Sequence, residues 1–193
     1  MKLLFIDACL RGEKSRTKKI CDNVIEAIKN KYADAYLETV DLKSLDIKAC
    51  YEADLEKRDE LISKGDFSSF GLAKQFAAAD MIVVGAPYWD FSFPAALKVY
   101  IENVAVNNIA FHYTERGQEG LCLAKKAYYV TTSGGFMTGA DYGYQYIKGV
   151  FGLFGINDCE CISAEGLDII GNDIEKIVND AIEKAVKGIT VNL

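Results

Sequence analysis

No stretch of the sequence reaches the ~18 consecutive apolar residues that a membrane-crossing helix needs, so no membrane span is expected. The opening MKLLFIDACLRGEKS holds only a brief apolar run, Leu3 to Ile6, which Asp7 cuts off. That is too short for the apolar region of a secretory signal. Histidine is nearly absent: His112 stands alone, and none of the six cysteines (Cys9, Cys21, Cys50, Cys122, Cys159, Cys161) forms a CxxC pair. A structural zinc site, or any other metal site, is therefore not expected. Scattered cysteines in a chain of this size, with no secretion signal, read as reduced cytosolic thiols. A basic excess is also missing. Lys and Arg total 22 against 28 Asp and Glu, a net charge of -6, which argues against a nucleic-acid partner. The two prolines, Pro87 and Pro94, both flank one loop, and no repeat, linker or low-complexity segment is present.

What remains is a chain of 193 residues, half of them hydrophobic, which is the size of one domain over residues 1–193 with a real core. Short apolar runs alternate with amphipathic stretches. Strands are expected at Lys2–Asp7, Ala35–Leu42, Asp80–Pro87, Lys126–Thr132 and Asp158–Ala164. DMIVVGAP is apolar through its middle, as a parallel strand covered on both faces should be. Helices are expected at Ser15–Asn30, Ser68–Ala79, Phe93–Val106, Tyr142–Phe154 and Asp173–Lys187, with a short one near Glu52–Ser63. In the first, Ile20, Val24, Ile25 and Ile28 recur at helical spacing. Strands alternating with helices imply an α/β fold with a doubly wound, five-stranded parallel sheet and helices on both faces.

Such sheets bind ligands beyond the carboxyl ends of their strands. Three loops there stand out. ACLRGEKSRT, Ala8–Thr17, joins Arg11, Lys14 and Arg16 to Gly12, Ser15 and Thr17 at a helix start, in a chain otherwise acidic. Unpaired helix N–H groups, hydroxyls and guanidinium donors suit a phosphate, although Ser15 would also serve as a plain N-cap. The loop matches neither GxGxxG nor GxxxxGK[ST]. GAPYWDFSFP, Gly85–Pro94, gathers Tyr88, Trp89, Phe91 and Phe93, planar groups that suit a planar ligand or, more simply, a hydrophobic plug. TTSGG, Thr131–Gly135, offers hydroxyls and a close backbone approach, or an ordinary turn.

These segments, with AFHYTERGQEGL, KKAYYVTTSGG and YIKGVFGLFGINDCECISAEGL, resemble the FMN-dependent azoreductase and NAD(P)H:quinone reductase family. The likeness spans most of the chain and is weakest from Lys43 to about Phe67. It implies a flavodoxin-like sheet of order 2-1-3-4-5. It also implies tightly but non-covalently bound FMN, NADH or NADPH as donor, and a cytoplasmic homodimer with active sites at its interface. The phosphate falls to Cys9, Arg11, Ser15, Arg16 and Thr17. Pro87, Tyr88, Trp89, Asp90 and Phe91 border the ring, and Thr132, Ser133, Gly134 and Gly135 bond its polar edge. Phe111, Tyr113 and Tyr142 line the substrate side, Tyr113 from the partner subunit. Two-electron reduction of a small aromatic acceptor (a quinone, azo or nitro compound) then proceeds by a ping-pong route on the flavin, with no catalytic protein residue. The alternatives are a flavodoxin-type carrier without its own substrate, and a quinone-sensing subunit that does not turn over. Asp90 stands where many azoreductases carry Asn, and Ser133 where a larger residue is common. A carboxylate at residue 90 is expected to lower the flavin potential. His112 reads as a packing or edge residue, and Cys159 and Cys161 as small hydrophobes on one strand face.

Overall fold

The computed structural model describes residues 1–139 and 141–191; Ala140 and the final two residues of the expected 1–193 domain lie outside the described residues. In chain order the elements are β1 (Lys2–Asp7), α1 (Arg16–Lys31), β2 (Tyr36–Asp41), α2 (Glu52–Ser63), α3 (Gly71–Ala77), β3 (Met81–Gly85), α4 (Ala95–Val104), β4 (Phe111–Thr114), β5 (Gly117–Gly120), β6 (Lys126–Thr132), α5 (Tyr142–Leu153), β7 (Cys159–Ala164) and α6 (Ile174–Val191). The main sheet runs β2-β1-β3-β6-β7 with every neighbouring pair parallel. Counted by its own strands this is 2-1-3-4-5, the order the resemblance implies.

Side chains alternate across a strand, and the core divides accordingly. Leu4, Ile6, Ile82, Val84, Ala127 and Tyr129 join α3, α4 and α5 on one face. Leu3, Phe5, Met81, Val83, Tyr128 and Val130 join α1 and α6 on the other. Phe76 centres the first face, edge-on to Phe151 at 5.5 Å and to Phe154 at 5.6 Å. Cys159 packs in that core and Cys161 lies against it, as expected for small hydrophobes on one face.

Helix ends differ from the sequence reading for local reasons. The expected Ser68–Ala79 narrows to α3 because Asp66 Oδ1 accepts from the Ser68 N–H at 2.9 Å and holds a turn there. Pro94 is the N-cap of α4 rather than its first residue. The FHYTERG segment, for which the sequence pattern predicts no strand, is an antiparallel hairpin, β4 on β5. Its base bonds Leu121 N–H to Ala110 O and Leu123 N–H to Ala77 O, each at 2.9 Å. Ala77 closes α3 just before β3 begins, so the hairpin roots at the amino edge of the sheet. No helix among the described residues is long and apolar enough to cross a membrane.

Candidate active site

The chain leaves β1 to one side through α1 and β2, then returns to β3 on the other side of β1. The loops after β1 and β3 therefore diverge, and a crevice opens between them at the carboxyl edge. That crevice is a cleft of about 350 Å³, within the range of small-molecule sites.

Loop one forms its cationic wall. Ala8 N–H donates to Gly85 O at 2.8 Å and ties the loop to β3. A turn of 3-10 helix at Gly12–Lys14 follows, entered through Gly12 at φ +56°, and Ser15 then caps α1 by accepting from Lys18 N–H at 3.3 Å. Helix geometry aims the remaining first-turn N–H groups out of the helix end. Arg11, Lys14, Ser15, Arg16 and Thr17 all line the cleft. Cys9 does not. Its N–H is taken by Asp7 Oδ1 at 2.8 Å, and its buried thiol donates to Gly85 O at 3.5 Å beneath the loop.

Loop three, after β6, forms the floor, with Thr132, Ser133 and Gly134 on the cleft. Buried Thr17 and Thr132 share a hydroxyl hydrogen bond of 2.7 Å, which joins loop one to loop three. Ser133 turns its hydroxyl inward to Gly135 O at 2.6 Å, so Gly135 serves as backbone support outside the lining.

Loop two supplies the aromatic wall of Pro87, Tyr88 and Trp89. Tyr88 N–H donates to Thr132 O at 3.0 Å, which aligns this wall with the floor. Desolvation, with the charges of Asp141 and Glu165 nearby, holds the Tyr88 phenol above its usual range and keeps it a neutral donor. The chain then reverses in four residues: Trp89 N–H donates to Ser92 O and Ser92 N–H to Trp89 O, while Asp90 (φ +51°) and Phe91 (φ +66°) are both left-handed. That is the geometry of a type I′ hairpin turn, usually made with Asn and Gly. Asp tolerates it, but for Phe the conformation is strained. Asp90 and Phe91 therefore sit exposed at the turn tip, outside the lining.

A fourth wall, Leu167 and Asp168, went unread in the sequence. It follows β7, and the carboxyl-edge argument applied to that strand as well would have reached it.

The expected substrate-side residues are not brought into this cleft. Tyr142 opens α5 at the carboxyl edge, 59% exposed and off the lining. Phe111 and Tyr113 lie on the hairpin, where Phe111 stacks on Phe154 at 6.1 Å and Tyr113 is 70% exposed. Because the hairpin roots at the opposite edge of the sheet, neither lines the cleft of its own chain. His112 belongs to the same hairpin, its Nε2 3.5 Å from Glu119 Oε2, as an edge residue would be.

Comparison with known proteins bears on this cleft. The Flavodoxin_2 family model, described as a flavodoxin-like fold, matches residues 1–189. The FMN-dependent NADH:quinone oxidoreductase 2 of Clostridium acetobutylicum is 39% identical over 191 residues, covering 95% of this chain and 96% of that protein. The FMN-dependent NADH:quinone oxidoreductase of Clostridium beijerinckii is 40% identical over 192 residues, with 95% and 96% covered. Among solved structures, an azoreductase from Bacillus anthracis superposes with a TM-score of 0.85 over 98% of both chains at 24% identity. An FMN-dependent NADH-azoreductase from the same species, solved in complex with FMN, gives 0.84 over 97% of both at 22%. At those identities the solved structures establish the fold alone.

Proposed function

The chain belongs to the flavodoxin-like family whose curated relatives are FMN-dependent NADH:quinone oxidoreductases, and from that premise we propose that its cleft holds FMN and reduces small aromatic acceptors at the expense of NADH. One observation carries the reading: a helix end flanked by Arg11, Lys14 and Arg16 is joined, through the Thr17–Thr132 bond, to a slot walled by Tyr88 and Trp89. The first half fits a phosphate and the second a flat ring, in one cavity of suitable size. Bound there, FMN supplies the two-electron chemistry between NADH and the acceptor, a quinone, azo or nitro compound. The relatives named as enzymes favour this over a flavodoxin-type carrier or a sensor subunit.

The residues of this chain bind and orient. Ser15, Arg11, Arg16 and the first-turn N–H groups of α1 hold the phosphate. Pro87, Tyr88 and Trp89 border the ring on one side, and Thr132, Ser133 and Gly134 meet its polar edge on the other. Tyr88, kept neutral, positions without transferring a proton. The exposed aromatics include Trp89, Phe91 and Tyr142 near the cleft and Tyr113 on the distant hairpin. This supports a homodimer in which Phe111 and Tyr113 of one subunit cover the other subunit's cleft, on the substrate side. We read the protein as a single cytoplasmic domain, in keeping with its six free cysteines.

The purified protein with added FMN is expected to show flavin absorbance that bleaches anaerobically with NADH and returns with a quinone. A protein that takes up no FMN, or whose flavin NADH leaves unbleached, overturns the reading. Asp90→Asn tests a finer point. The carboxylate at the turn tip is exposed and screened by solvent, so its removal should raise the flavin midpoint potential by only about 20 mV, roughly 1 kcal/mol for two electrons. Spectroelectrochemical titration measures this; an unchanged or lower potential counts against an electrostatic role for Asp90.

A further inference from the structure

The cleft built for an anion contains a carboxylate. Asp168 is the one acidic side chain among the described residues that line it. It is not a drifting rim residue. Its N–H donates to Gly134 O at 2.9 Å, and its neighbours Leu167 and Gly166 donate to Ser133 O at 3.1 Å and Gly135 O at 3.0 Å. The segment after β7 is thereby laid along loop three. Its carboxylate then reaches across to loop one, where Arg16 Nη1 donates to Asp168 Oδ1 at 2.8 Å and to Leu167 O at 3.2 Å. Space is reserved for this group: a Cβ at residue 134 would stand 2.4 Å from Asp168 Oδ2. Gly134 therefore admits the carboxylate to the cleft as well as giving close backbone approach.

Arg16 is the cation at the first position of α1, where helix dipole and guanidinium act together on an anion. A phosphate arriving there meets an arginine that already has an anionic partner, and a fixed negative charge beside it. Arg11 and Lys14, on the same wall, have no such partner in the lining.

We propose that Asp168 is a built-in counter-anion of the phosphate site, competing with the cofactor's phosphate for Arg16 and so setting FMN affinity below what the cationic wall alone would give. This rests on the reading that the cleft holds FMN. The competition concerns only the phosphate, so it discriminates FMN from riboflavin, which carries the same ring without that charge. The pair is partly exposed, Arg16 at 41% and Asp168 at 72%, which limits its strength to that of a surface ion pair.

The test is flavin-fluorescence titration of the flavin-depleted full-length chain with FMN and with riboflavin, for the wild type, Asp168→Asn, Arg16→Gln and the double variant. Asn keeps the size of Asp, so the contact with Gly134 survives. Asp168→Asn is expected to tighten FMN by about three- to fivefold and to leave riboflavin unchanged. In the Arg16→Gln background the same change should have less than about a twofold effect, because the shared partner is gone. Three outcomes overturn the proposal while leaving the FMN reading intact: FMN binding unchanged or weaker in Asp168→Asn, an equal gain for riboflavin, or a gain undiminished by Arg16→Gln. A wild type that binds no FMN overturns both.

Discussion

Replacing Gly120 by alanine is expected to destabilise the protein by about 3 kcal/mol or more, among the largest costs for adding one methyl group. A Cβ at residue 120 would lie 2.0 Å from Gly155 N and 2.1 Å from Phe154 C. Both are backbone atoms, held where α5 ends by the Cys122 N–H bond to Phe154 O at 3.1 Å, and neither can swing aside as a side-chain tip could. The hairpin must lift off instead, separating Phe111 from Phe154. Urea denaturation measures the loss, and limited proteolysis near Glu115 and Arg116 distinguishes hairpin undocking from global unfolding. Gly117→Ala is the control. Gly117, unlike Gly120, has a positive φ, +113°, but nothing lies within 4 Å of its Cβ position, so only backbone strain of about 1–2 kcal/mol is expected. Equal costs at the two positions would show that the docking of Gly120 against Gly155 is wrong. The functional consequence is specific: if the hairpin covers the partner's cleft, Gly120→Ala should impair acceptor turnover more than FMN binding.

Thr17→Val should weaken both fold and site. The two buried hydroxyls of Thr17 and Thr132 bond each other at 2.7 Å. Valine keeps the shape of threonine but leaves Thr132 Oγ1 without that partner, at a cost of about 1–3 kcal/mol. The bond also fixes the spacing between the phosphate half of the cleft and the ring half. A cofactor that spans both loses on the order of 1.4 kcal/mol if the halves drift, about tenfold in Kd for FMN. Thr17→Ser keeps the hydroxyl and should restore most of the FMN affinity. Rescue of stability without rescue of FMN binding would separate the structural role of the bond from its role in spacing.

Apart from the β4–β5 hairpin, the element order was legible because its signals are local. KLLFID, MIVVG and KAYYVTT are short and apolar on both faces, as a covered parallel strand should be. The expected α2 range, Glu52–Ser63, coincides with the observed one. The site was legible to the extent that it follows from topology. Topology points to the three loops at the carboxyl edge, and of the residues the family resemblance picks out in them, Arg11, Ser15, Arg16, Thr17, Pro87, Tyr88, Trp89, Thr132, Ser133 and Gly134 line one cleft. The side-chain direction within a loop was not legible. Cys9 shares its loop with Arg11, yet its thiol points under the sheet edge because Gly85, which has no side chain, leaves room there for the thiols of Cys9 and Cys21.

Taken alone, the amino-acid order determined the alternation of buried strand and amphipathic helix, and hence the edge at which a ligand can sit, because hydrophobic period and turn chemistry act over a few residues. The tertiary structure decided what meets across that edge. Arg16 and Asp168 are 152 positions apart, and Gly134 makes room for a carboxylate from another loop. The hairpin takes its place from backbone contacts with Gly155 and Ala77. Such meetings depend on how far separated segments pack and pair, and no local periodicity encodes them.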